Sequence, residues 1–197
     1  MDYIIYDCEI VKCLPEQFGT RYPDLEYCAG WEDFANMGIS VIGVIDQDGS
    51  TKVIIPGKNP DTWKKLLDPT IKIVGFNSKK FDDRLCQANG IEVKTDYDLL
   101  EEIRLAAYGS IRWEDQPPGF SYSLARMGQA NGFPKTGTGE LAPKLWQENR
   151  QQEVIDYCLN DVKITRSLLE LGWAGQLIDP NTRSLLRLRS LEEVCSS

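Results

Sequence analysis

Residues 2–10, Asp-Tyr-Ile-Ile-Tyr-Asp-Cys-Glu-Ile, alternate as a β-strand whose two faces are both largely apolar. Tyr3, Ile5, Asp7 and Glu9 fall on one side; Ile4, Tyr6, Cys8 and Ile10 fall on the other. A strand apolar on both sides is covered on both sides, so it belongs in the middle of a sheet. Asp7 and Glu9 then project together from its far end, about 7 Å apart along the strand.

The neighbouring segments supply the rest of such a sheet. Ile39–Asp46 and Thr51–Pro56 are β-branched runs joined by Gln47-Asp48-Gly49-Ser50, a hairpin signal. Ile71–Phe76 is a compact buried strand. Helices are predicted over Asp61–Leu67, Lys79–Ala88, Tyr97–Ala107 and Ser121–Ala130, and most clearly over Glu153–Leu171. Antiparallel strands followed by strands alternating with helices give an α/β fold, a mixed central sheet with helices on both faces.

Two stretches interrupt this pattern. Residues 13–37 carry Phe18, Tyr22, Tyr27, Trp31 and Phe34 without a clear period, and read as an inserted loop packed by its own rings beside a cleft. The Gly- and Pro-rich residues 132–143 read as a mobile loop. Their Lys135-Thr136-Gly137-Thr138-Gly139 string lacks the Gly-Lys-[Ser/Thr] order of a phosphate-binding loop. One domain over residues 1–172 and a tail over 173–197, with a turn at Asp179-Pro180-Asn181, account for the chain.

Composition removes whole classes of chemistry. The 197 residues include no histidine, which excludes His-based triads, His-ligated zinc and imidazole bases. Six cysteines without a Cys-x-x-Cys pair read as reduced packing thiols in a cytoplasmic protein. No apolar run is long enough to cross a membrane. The net charge of −8 argues against a broad basic face gripping a duplex.

What remains is carboxylate chemistry, and the acids recur where apolar side chains are expected. In the last long helix Tyr157, Asp161, Ile164, Leu168 and Leu171 share one narrow sector, so Asp161 sits on the buried face with Tyr157 one turn before it. A buried, unpaired carboxylate costs several kcal/mol or a large pKa shift. In the helix from Lys79, Phe81, Leu85 and Ala88 mark the buried stripe. Asp82 borders it, whereas Asp83 points towards solvent. Asn77, at the preceding strand end, is placed to cap this helix or to bind a ligand. Gathered in one cleft, Asp7, Glu9, Asp82 and Asp161 would repel one another unless cations sat among them, as in a divalent-metal phosphoryl-transfer site.

Taken in order, Asp7-x-Glu9, Asn77-x-x-x-Phe81-Asp82 and Tyr157-x-x-x-Asp161 resemble the three motifs of the DEDD-type 3′–5′ exonucleases, tyrosine subclass. The Gly75-Phe76-Asn77…Phe81-Asp82 form is most similar to the proofreading exonuclease domain of family-B DNA polymerases. The resemblance implies a ribonuclease-H-like fold, with Asp7, Glu9, Asp82 and Asp161 holding two Mg²⁺ or Mn²⁺ ions and Tyr157 positioning the attacking water. It implies a stand-alone enzyme releasing nucleoside 5′-monophosphates from a single-stranded 3′ end, of DNA in preference to RNA. Cys8, Asn77, Phe81, Lys79 and Lys80 are the expected substrate contacts, with Arg84, Lys135 and Lys144 as further phosphate-facing cations. The competing readings are an exoribonuclease of the same mechanism and a non-catalytic ribonuclease-H-like module that binds nucleic acid or protein.

Overall fold

Residues 3–10 form the centre of the sheet, a strand buried on both faces. In a computed structural model, which describes residues 1–15, 21–58, 66–137 and 139–196, β1 (Tyr3–Ile10) lies between two partners of opposite direction. On one side it pairs antiparallel with β2 (Ile39–Asp46), which pairs antiparallel with β3 (Thr51–Ile54). On the other it pairs parallel with β4 (Lys72–Gly75), which pairs parallel with β5 (Tyr97–Asp98). The order is β3-β2-β1-β4-β5, the expected mixed sheet. The hairpin turn closes with Gly49 at φ +92°, where a side chain is strained, and with Asp46 and Ser50 joined backbone to backbone at 2.9 Å.

The two faces of β1 feed two cores. Ile4, Tyr6 and Cys8 pack with Phe34 and Met37 of α1 (Phe34–Met37) and with Leu85 and Cys86 of α2 (Asp82–Ala88). Ile5 packs on the opposite side against α3 (Leu99–Tyr108), α4 (Leu124–Ala130) and, beyond α5 (Ala142–Gln147), the long α6 (Gln151–Trp173). Helices therefore cover both faces.

Several boundaries differ from the sequence expectation for local reasons. Asn77 takes φ +62°, and the buried Asp98 carboxylate accepts the Asn77 and Lys79 backbone N–H groups at 2.9 and 3.2 Å. Residues 78–81 are thereby held in turns, α2 begins only at Asp82, and Asn77 does not cap it. Ala88 is exposed, and Cys86 takes its place in the buried stripe. Asp98 also accepts the Leu100 N–H at 3.0 Å, so Tyr97 and Asp98 end a strand and α3 starts behind them. Ser123 rather than Ser121 caps α4. The expected helix at 61–67 falls mainly on residues outside those described; Leu66 is buried.

The described residues of the 13–37 segment are anchored to the rest of the fold by backbone and ring contacts, and Phe18 lies outside the described residues. Cys13 and Cys28 bond backbone to backbone, and Gln147 on α5 donates to Val11 O and Glu26 O at 2.9 and 3.0 Å. Phe34 is buried against Phe81, while Tyr22 and Trp31 face solvent. The segment after Trp173 packs on the same core as α6. A hairpin of β6 (Leu177–Ile178) and β7 (Leu185–Leu186) and the helix α7 (Leu191–Cys195) bury Leu177, Leu186, Leu188 and Leu191. Its turn is the expected one, with the Asp179 carboxylate accepting the Asn181 N–H at 2.7 Å. Among the described residues no helix is long and apolar enough to cross a membrane.

Candidate active site

The parallel pairing of β1 with β4 stops at Ile5–Val74, so past Gly75 the carboxyl end of β1 is paired on its β2 side only. In open α/β sheets this is where ligands bind, outside the carboxyl ends of strands. Asp7 pairs with Gly43 across β2, and a bulge follows between Glu9 and Ile10, where Ser40 Oγ donates to Glu9 O at 3.0 Å. Such a bulge re-aims the side chains beside it.

Three further elements close on this strand end. Asp82, the first residue of α2, is buried and accepts the backbone N–H of Cys8 at 2.9 Å, tying α2 to β1. From the other face α6 contributes Tyr157 and Asp161, both buried and one helical turn apart. Its approach depends on Gly43: a Cβ there would lie 2.9 Å from Cys158 Sγ, so a side chain would push α6 away. The result is a cavity of about 340 Å³ into which Asp7, Glu9, Asp82, Tyr157 and Asp161 all face. Cys8, Asn77 and Phe81 line it too, whereas Lys79 and Lys80 stand outside its wall.

Burial and mutual repulsion dominate its electrostatics. Desolvation, then the Asp161 charge, pushes the Asp7 carboxyl up to about 7. Glu9 is held well above the ordinary range by burial and then by Asp7, and Asp82 likewise by burial and then by Asp7. Asp161 is raised by burial, with the Lys135 ammonium acting against the shift. The Tyr157 phenol is raised far out of the neutral range by burial and the carboxylates around it. One cation balances this cluster: Lys135 Nζ lies 2.5 Å from Asp161 Oδ2 and 4.9 Å from the centre of the Tyr157 ring. Asp161 Oδ1, also buried, has no hydrogen-bond partner among the described residues.

An orphaned buried carboxylate oxygen and an ammonium lodged among acids fit a site for divalent cations. Asp7, Glu9, Asp82 and Asp161 offer the hard oxygen donors that Mg²⁺ or Mn²⁺ prefers. Asp7 and Glu9 bring ligand atoms within 4.8 Å of each other and of Cys158 Sγ. That thiol, 3.7 Å from Asp7 Oδ2, is closer to the acids than a packing role for cysteine suggests.

Some placements depart from the expectation. Asp83 is not solvated: its carboxylate accepts the Tyr6 hydroxyl and, at 2.7 Å, the Thr95 hydroxyl, with the Thr95 N–H at 3.0 Å. The Tyr6 phenol on the opposite face of β1 needs an acceptor when buried, and Asp83 supplies it. Lys135 is not a rim cation, because the buried Asp161 draws it inward. Lys79, Arg84 and Lys144 pair instead with Glu101, Glu32 and Glu148. The 132–143 segment packs on the site: a Cβ on Gly137 or Gly139 would come 3.1 Å from the Tyr157 ring or 3.3 Å from its hydroxyl.

No protein-family model and no curated protein matches the sequence. Among solved structures the fold is similar to that of the family B DNA polymerase from the hyperthermophilic archaeon Pyrobaculum calidifontis, with a TM-score of 0.58 and 16% identity. The match covers 100% of this chain and 27% of the polymerase, so the chain spans about a quarter of that protein's length. At this identity the likeness is one of fold.

Proposed function

We propose that the chain is a metal-dependent 3′–5′ exonuclease of ribonuclease-H-like fold, acting on single-stranded 3′ ends, of DNA in preference to RNA. The observation that carries this reading is the convergence of Asp7, Glu9, Asp82 and Asp161 with Tyr157 in one cavity, where a lysine ammonium is the only cation among the described lining residues. The three motifs that meet there are those whose order resembles the DEDD exonucleases, and the fold is similar to that of a DNA polymerase.

In this reading the four carboxylates hold a pair of Mg²⁺ or Mn²⁺ ions. When bound, those ions supply the positive charge that makes the scissile phosphate electrophilic and eases departure of the 3′-oxygen. The chain's own groups do the positioning. Tyr157 keeps its proton throughout the neutral range, so its hydroxyl donates or accepts as the attacking water requires. Lys135 stands against both the Tyr157 ring and the Asp161 carboxylate, so it links the two. Phe81 and Asn77 also line the cavity, and in this reading they contact the last sugar and base. Lys79, Arg84 and Lys144 are already paired with acids, and with the net charge of −8 the salt dependence of binding is expected to be shallow.

The test is digestion of 3′-labelled single-stranded DNA and RNA by the full chain with Mg²⁺, Mn²⁺ or EDTA. Mononucleotides should appear from DNA faster than from RNA, and not in EDTA. Faster release from RNA would convert the reading to an exoribonuclease. Binding without release from either strand would leave a non-catalytic module and overturn the proposal.

A further inference from the structure

Trp31 is 54% exposed, yet its ring lines the same cavity as the acid cluster. Scattered exposed aromatics are ordinary on protein surfaces. This one is held in place. Its ring meets Phe81 edge-on at 6.1 Å and 68°, and Phe81 meets the buried Phe34 at 5.7 Å and 61°. The Arg84 guanidinium lies 4.4 Å from the Phe34 ring and pairs at 2.6 Å with Glu32, next to Trp31 in sequence. The backbone around it is fixed by the Asp33 carboxylate, which accepts the Ala29 N–H at 2.7 Å. A rigid ladder of rings thus runs from the core to the cavity mouth and ends in an indole with open surface.

A flat, polarisable ring beside a cluster of acids suits one kind of occupant. The acids call for a phosphate with its metal ions, and the adjoining indole calls for a flat apolar ring joined to it. A nucleobase on its sugar-phosphate supplies both, and every base has a face to stack. The cavity's volume of about 340 Å³ lies at the small end of ligand pockets, roughly 300–1,000 Å³, which favours a chain terminus over a duplex.

Resting on the exonuclease reading, we infer that Trp31 is the stacking platform for an unpaired base at the 3′ end of the strand, and that the 13–37 segment exists at this place to present it. Trp31 positions the substrate and takes no part in the chemistry. Because Phe81 holds its edge, the platform is formed before substrate arrives, which limits the ordering cost of binding.

The experiment measures fluorescence anisotropy of 5′-labelled single-stranded DNA with the full chain in Mn²⁺, the terminal linkages being phosphorothioates to slow hydrolysis. One strand has an ordinary 3′ end; the other carries abasic sugars there. Trp31→Ala should weaken binding of the ordinary strand by roughly 5- to 150-fold, the range for losing one base–aromatic stack, and Trp31→Phe should retain most of the affinity. The abasic strand should bind weakly to the parent chain and no more weakly to Trp31→Ala. Equal losses on both strands would show a merely structural role, and no loss on either would remove the platform; both overturn the inference. If mononucleotide release persists while Trp31→Ala leaves affinity unchanged, the stacking role fails and the exonuclease reading stands. If the parent chain neither binds nor degrades any strand, both fail.

Discussion

Replacing Asp7 with Asn should stabilise the protein without metal at neutral and higher pH, and not at acid pH. In the folded state the Asp7 carboxyl is pushed up to about 7 by burial and by Asp161, against an ordinary value of 3.8. Between these values the folded chain binds a proton that the unfolded chain has released, so stability falls as pH rises. The favourable state is complete below about pH 4 and is lost as pH passes through 7. At about 1.36 kcal/mol per pH unit, the full interval corresponds to about 4 kcal/mol. Asp7 is not wholly buried, and solvent screening brings this to about 2 kcal/mol. For a chain of this size, about 2 kcal/mol moves Tm by roughly 4–8 °C. In EDTA at pH 7.5 the Asp7→Asn variant should melt higher than the parent by that amount, and at pH 5 the difference should shrink towards zero. Mn²⁺ should raise the parent's Tm and leave the variant's nearly unmoved. An unchanged or lowered Tm for the variant at pH 7.5 in EDTA would mean that Asp7 is not held among like charges.

Neighbouring substitutions should separate the roles of adjacent residues. Asp83→Ala leaves the buried Tyr6 phenol and Thr95 without their acceptor, so it should cost about 1–3 kcal/mol in urea unfolding. Asp82→Asn should cost nothing or stabilise the metal-free fold while abolishing nucleotide release; the reverse pattern would mean that the two acids have been exchanged. Gly43→Ala places a methyl 2.9 Å from Cys158 Sγ, and should destabilise by about 1–3 kcal/mol and depress activity by shifting α6 from β1. Tyr157→Phe should slow turnover with metal affinity unchanged by calorimetry; weakened metal binding would contradict its role as a water-positioning group.

The sheet was readable because its central strand is a period-two pattern with no competing interpretation. Asp7, Glu9 and Asp161 could be found in the sequence because each breaks an apolar stripe that burial otherwise dictates. Asp98 carried a visible signal as well, a helix-capping acid before Leu99 and Leu100, though not its hold on the Asn77 turn. Lys135 was legible only as a rim cation, and Trp31 only as one of several rings in a loop beside a cleft. Their segments have no periodicity, and what places them is tertiary: a buried carboxylate attracting an ammonium, and a ladder of rings leaning on Phe81. Asp83 misled for a related reason. Its helical phase points away from the Phe81 stripe, but the Tyr6 hydroxyl from the neighbouring strand meets it there.

Diffraction from crystals soaked in Mn²⁺, recorded at the manganese edge, shows whether the four acids hold a pair of ions. Two anomalous peaks about 3.5–4 Å apart, bounded by the carboxylates of Asp7, Glu9, Asp82 and Asp161 with the Lys135 ammonium displaced from Asp161, are the predicted result. An acid cluster without a peak, its carboxylates protonated and Lys135 still seated on Asp161, would contradict it.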